Sequence, residues 1–138
     1  MATFTATAAQ AGVQAIHHIT GTITRVIQYA FTASASAGDV VQMLRVPVGA
    51  IVSRVAIANS ASAGVITANI GDGNDTSAYG ASVVLSGSAV LQTSMPYRGV
   101  GRSYSVEDTI DIVVAAISTP AAETKLTLVV DYTLNNGA

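Results

Sequence analysis

The sequence predicts an all-β protein of about seven or eight short strands, arranged as an antiparallel sandwich or barrel. Three observations lead there. Apolar and polar residues alternate with period two in several segments, as in strands that bury one face. Clusters of Gly, Ser, Ala and Pro separate those segments, and no long helical period interrupts them. Ala, Val and Thr dominate while Leu and Lys are sparse, which suits strands better than helices.

With 138 residues, the chain has the usual size of one domain and can bury a core without staples. No internal repeat or domain boundary is visible. Residues 1–20 read as an N-terminal arm and residues 21–138 as a single sandwich domain.

The arm alternates Thr3, Thr5 and Thr7 with Phe4, Ala6 and Ala8, which favours an extended segment over a short helix within residues 8–17. It has too few large apolar side chains to form a core layer, so it is stabilised only by docking on its own body or on a neighbour. Residues 21–31 form the first body strand, with Ile23, Ile27, Tyr29 and Phe31 on one parity. Arg25 interrupts that face and marks a sheet edge or an interface. Residues 39–46 mix apolar side chains on both parities, which suggests partial burial on both faces. Pro47 lacks a ladder donor and ends that strand.

Residues 46–80 carry the most information. A Pro-Gly corner at Pro47 to Gly49 opens a strand over residues 51–58. Ile51, Val55 and Ile57 face in; Arg54 and Ala56 face out. A turn of small residues follows, and residues 65–70 return antiparallel, since six residues are too few for a parallel crossover. Two short apolar pieces follow at residues 83–85 and 89–91. Residues 93–105 form a long polar loop. Residues 109–117 place Ile110, Ile112, Val114 and Ala116 on one face and Asp111 on the outer one. Residues 125–134 give the cleanest alternation, with Leu126, Leu128, Val130, Tyr132 and Leu134 together.

Charged residues make up only 10% of the chain, against roughly a quarter in average soluble domains. Such a bland surface suits coverage by partners, and open strand edges of this composition would aggregate unless neighbours covered them. The formal net charge is −2 and Lys125 is the sole lysine, so no basic stripe exists for direct nucleic-acid contact. The absence of cysteine excludes disulfides and thiolate sites. No apolar run reaches the ~20 residues of a membrane span, and the N-terminus lacks a signal-peptide pattern.

Chemistry-bearing groups are few. Asp72, Asn74 and Asp75 lie within a Gly-Asp loop and offer hard oxygen ligands of the kind Ca²⁺ takes, but the rest of an EF-hand loop is missing. A tight turn, in which Asp and Asn accept from their own backbone, accounts for the same residues and is preferred. His17 and His18 are adjacent, so an extended backbone points them to opposite sides. No GxSxG, GxGxxG or P-loop pattern occurs, and the acids do not converge in sequence as a glycosidase pair. No cofactor is expected. Tyr97, Arg98, Arg102 and Tyr104 cluster in the polar loop, and these residue types are favoured at interface hot spots. The expected interface residues are therefore Phe4, His17, His18, Arg25, Tyr97, Arg98, Arg102 and Tyr104.

The corner Val46-Pro47-Val48-Gly49 and the loop Ile70-Gly71-Asp72-Gly73-Asn74-Asp75, followed by Tyr79, resemble a motif pair of tailed-bacteriophage structural proteins. The family implied is the jelly-roll capsid decoration, or cement, proteins. The motifs cover about a quarter of the chain; length and strand texture match over the remainder. The resemblance implies an antiparallel β-sandwich of jelly-roll type with about eight strands. It also implies a homotrimer on the outer capsid surface of the virion, bridging subunits of the major capsid protein, assembled in the host cytoplasm and without catalytic residues. The alternative within the same fold is a fibre or head-fibre module that binds a host receptor or glycan.

Overall fold

A computed structural model describes residues 1–6, 21–31, 35–59, 65–86, 90–92, 99–117 and 125–134. Ten strand segments occur among them: β1 (Thr3–Thr5), β2 (Thr22–Ala30), β3 (Val40–Val46), β4 (Ala50–Asn59), β5 (Val65–Asp72), β6 (Gly80–Ser86), β7 (Val90–Gln92), β8 (Arg102–Ser103), β9 (Asp108–Ile117) and β10 (Lys125–Leu134). One sheet has the order β1-β3-β9-β5-β6. The other runs β2-β10-β4-β7, with β8 also pairing to β4. Every pairing is antiparallel except that of β1 with β3. From β2 onward the chain switches repeatedly between the sheets, with only β5–β6 and β7–β8 staying within one. This is the jelly-roll arrangement.

The alternation of β10 dictates its place. Leu126, Leu128, Val130 and Tyr132 are fully buried, as are Ile110, Ile112 and Val114 of β9 in the opposite sheet. Burying each Leu or Ile contributes about 1.5–3 kcal/mol relative to exposure. β10 lies between β2 and β4, and β9 between β3 and β5, so the most regular apolar strands are central.

Three departures from strict alternation have a local cause. The β3–β9 register shifts between Gln42 and Leu44, so Val41 and Met43 face the core before the bulge and Leu44 and Val46 after it. A bulge, rather than burial on both faces, explains the mixed pattern. The β4–β10 register shifts where Asp131 and Tyr132 pair with Arg54 and Val52. Val52 is therefore buried and Ile51 only half-buried, reversing the expected orientation at the start of β4. Ala116 is exposed beyond the register shift between Thr67 and Ala68. β5 is also not a hairpin partner of β4; it crosses to the other sheet and pairs with β6 and β9.

The start of the arm docks on its own body. The Val40 amide donates to the Ala2 carbonyl (2.9 Å) and the Ala6 amide to the Gln42 carbonyl (2.8 Å). Phe4 meets Tyr29 and Phe31 at centroid distances of 6.1 and 5.9 Å, the latter edge-on. These three rings pack where the edge strands of the two sheets, β1 and β2, approach each other. Residues 7–20, with His17 and His18, lie outside the described residues, as do Tyr97 and Arg98.

Candidate functional site: a cleft beside a buried ion pair

The Pro-Gly corner sets the geometry at one end of the sandwich. Gly49 has φ of 87°, a conformation that Gly adopts without a Cβ penalty. Its amide donates to the Tyr104 carbonyl (2.8 Å), and the Tyr104 amide donates to the Ala50 carbonyl (3.0 Å). The corner therefore holds the chain just after β8 beside the start of β4. Within the segment 93–105, expected as one polar loop, Arg102 and Ser103 instead form a strand fixed to the sheet through Ile51–Ser103 and Val52–Arg102 pairs.

From the other sheet, β5 ends in the Gly-Asp loop. The amides of Asn74 (3.0 Å) and Asp75 (2.9 Å) donate to Asp72 Oδ1, and the Ser77 amide donates to Asp75 Oδ1 (3.1 Å). The Asp75 carbonyl accepts from the amides of Asp72 and Ala78. It folds so tightly over Gly71 that a Cβ there would lie 2.0 Å from that oxygen. This is the turn chemistry expected of Asp72 and Asp75, to which Asn74 contributes its backbone amide.

Asp72 does more than close the turn. Its residue is 1% exposed, and Arg102 grips its carboxylate with two nitrogens: Nε donates to Oδ2 and Nη2 to Oδ1 (3.0 Å). The Tyr104 hydroxyl donates to Oδ2 (3.0 Å) and is itself hydrogen-bonded to the Tyr79 hydroxyl. Since the Tyr104 proton points at Asp72, Tyr79 is the donor to Tyr104. Burial pushes the Asp72 carboxyl up. Arg102, the two turn amides and Tyr104 outweigh it and hold the group below the usual carboxylate range. Arg102 is held above its ordinary value by the same bond, and burial raises both Tyr79 and Tyr104.

A cleft of about 400 Å³ opens beside this cluster, lined in part by Gly73, Asn74, Arg102, Val106, Glu107 and Asp108. Glu107 pairs with Arg45 at 2.8 Å. Asp108 accepts from the amides of Gly73 (3.2 Å) and Thr109 (2.8 Å). Val106, 72% exposed, supplies an apolar rim. Among the described residues no group of three or more His, Cys, Asp or Glu is placed to hold a metal ion. Five protein donors reach the Asp72 carboxylate.

Four of the expected contact residues lie within the described residues, and each has contacts inside the protein or a place at a sheet edge. Tyr104 is only 6% exposed, lines the cleft from within and uses its hydroxyl internally. Arg102 is spent on Asp72, because a buried carboxylate needs a partner of opposite charge. Phe4 packs against the protein's own Tyr29 and Phe31. Arg25 lies half-buried on edge strand β2. Tyr79, which follows the Gly-Asp loop, is a further polar partner that periodicity does not reveal. The available signal was that Asp72 closes an apolar strand in a charge-poor chain, where a buried charge demands a cation.

No protein-family model matches the chain, and no curated protein matches it. Solved structures do. A chain in the capsid of Ralstonia phage GP4 superposes with a TM-score of 0.80 at 15% identity, covering 98% of this chain and 99% of that one. A chain of the cyanophage Pam1 capsid asymmetric unit gives 0.61 at 26% identity, with 91% and 95% covered. A chain of the acidic stable capsid structure of Helicobacter pylori bacteriophage KHP30 gives 0.58 at 13% identity, with 86% and 90% covered. Such coverage on both sides means that the jelly roll is shared as a whole. The fold is one that phage capsid structures contain.

Proposed function

We propose that the chain is a structural protein of a bacteriophage virion, and more specifically a decoration protein that binds the outer capsid surface and bridges major capsid subunits. The observation that carries this reading is the near full-length match to a chain in the capsid of Ralstonia phage GP4. The Pro-Gly corner and Gly-Asp loop support the finer assignment through their resemblance to cement proteins. On this reading the protein is not an enzyme and acts as a homotrimer.

The physical basis of such a role is added buried area. Each subunit contact is small, but many copies act together on one shell. Few charges must be stripped of water when this surface docks, which lowers the cost of burying it. Val26 on β2 and Val84 on β6, 62% and 52% exposed, put an apolar side chain on an edge strand of each sheet. Val106 adds an exposed apolar side chain at the cleft, and Val100 another just before β8. The arm beyond β1, with His17 and His18, and the segment with Tyr97 and Arg98 are the remaining contact candidates; Arg25 lies at the β2 edge.

The test is to add purified protein to shells of its own phage that lack it. Saturable co-sedimentation, with raised resistance of the shells to heat, is the expected result. Specific binding to a glycan array without shell binding would replace this reading with the fibre-module alternative.

A further inference from the structure

Asp111 is the least explained charged group in the sandwich. It lies on the outer parity of β9, yet only 8% of it is exposed, and Oδ1 has no hydrogen-bond partner. The registers align it in a row across four strands: Thr5 on β1, Gln42 on β3, Asp111 on β9 and Gly71 on β5. Thr5 Oγ1 on the docked N-terminal strand donates to Gln42 Oε1 (3.4 Å), and Gln42 is the register partner of Asp111 on β3.

The charged surroundings do not favour a carboxylate there. Asp108 on β9 and Asp72 on β5 both repel it. The cations of neighbouring strands are paired elsewhere: Arg45 on β3 with Glu107, and Arg102 on β8 with Asp72. Asp75 lies in the loop folded over Gly71, and Asp39, preceding β3, accepts from the amides of Ala2 and Ser36. No charged group on these elements compensates Asp111, and one of its oxygens is left without a donor.

We propose that Asp111 is a proton-operated latch for the N-terminal strand. When protonated, its carboxyl donates to the Gln42 side-chain oxygen opposite and secures β3 and β1 as one unit. When ionised, it is an uncompensated buried charge that loosens this row. Burial, followed by the charges of Asp108 and Asp72, pushes the group up to about 6 against the Thr109 hydrogen bond, so the latch works in a mildly acidic range.

The sign follows from linkage. A carboxyl raised in the folded state binds more protons than its unfolded counterpart between about 4 and 6, so the row weakens as pH rises through that window. The test is carboxyl NMR on the wild-type protein, with hydrogen exchange of the Ala6 amide, which donates to the Gln42 carbonyl. Expected are an Asp111 titration near 6 and, after correction for intrinsic rates, at least about tenfold higher Ala6 protection at pH 5 than at pH 7.5. Asp111→Asn should keep protection nearly constant over that range. Titration of Asp111 near its ordinary value overturns the proposal. So does a titration near 6 that leaves Ala6 protection unchanged; both readouts come from the wild-type protein, whether or not the variant folds.

Discussion

Arg102 and Asp72 join the two sheets of the sandwich. Asp72 ends β5 in one sheet, Arg102 begins β8 in the other, and the guanidinium meets a carboxylate that is fully buried. Removing one member of such a pair leaves an uncompensated charge. Arg102→Ala is therefore expected to cost about 3–5 kcal/mol in urea unfolding. Asp72→Ala combined with Arg102→Ala should cost clearly less than the sum of the single changes. Additive losses would mean that the pair contributes no coupling.

The tyrosines behind this pair should differ in weight. Tyr104 donates to Asp72 and accepts from Tyr79, so Tyr104→Phe breaks two bonds and leaves the Tyr79 hydroxyl buried without its acceptor. Its expected cost is about 1–3 kcal/mol. Tyr79→Phe removes only the terminal donor, at about 0.5–1.5 kcal/mol. Thermal unfolding of both variants checks the order, which reverses if Tyr79 is the more important anchor.

Gly71 is where the loop presses on the strand. A Cβ would lie 2.0 Å from the Asp75 carbonyl and 2.3 Å from the Thr76 carbonyl carbon. Backbone, not a movable side-chain tip, is in the way. Gly71→Ala is expected to destabilise by more than about 2 kcal/mol, because the loop must lift and Asp72 loses its turn amides. Chemical denaturation measures this; a neutral substitution would show that the loop can slide at no cost.

Much of the sheet plan was legible because a half-buried strand writes its environment into every second residue. β10 is the clearest case, where four apolar side chains from Leu126 to Tyr132 all point inward. The same reasoning failed at Ile51 and Val52, since a bulge changes parity without a signature in the residues themselves. Nor does it reveal the internal bonds of Arg102 and Tyr104. Their partner Asp72 lies 30 and 32 residues away and meets them only after the chain has changed sheets, which local periodicity does not encode. Asp111 was placed on the outer face correctly by parity, but its burial arises from strands and loops distant in sequence.

Acid should unfold the protein through a different set of groups from Asp111. Asp72 is held below its ordinary value, because Arg102 and the turn amides outweigh burial. Asp39 is held down by the Ala2 and Ser36 amides, and Asp131 by Thr24 and then Arg54 against burial. Unfolded carboxyls titrate near about 4, so this stabilisation is complete above that pH and is lost as pH falls through the lower folded values. The melting temperature is expected to fall steeply below about pH 4. A melting temperature that stays flat from pH 5 to pH 2 would show that these carboxylates do not support the fold.

The proposed decoration role requires that many copies of this jelly roll cover a phage capsid. Quantitative mass spectrometry of purified virions of the phage that encodes it, normalised to the major capsid protein, tests that most directly. Copies on the order of hundreds per particle, in a fixed ratio to the symmetric shell, are expected. A handful of copies, or none, would contradict it.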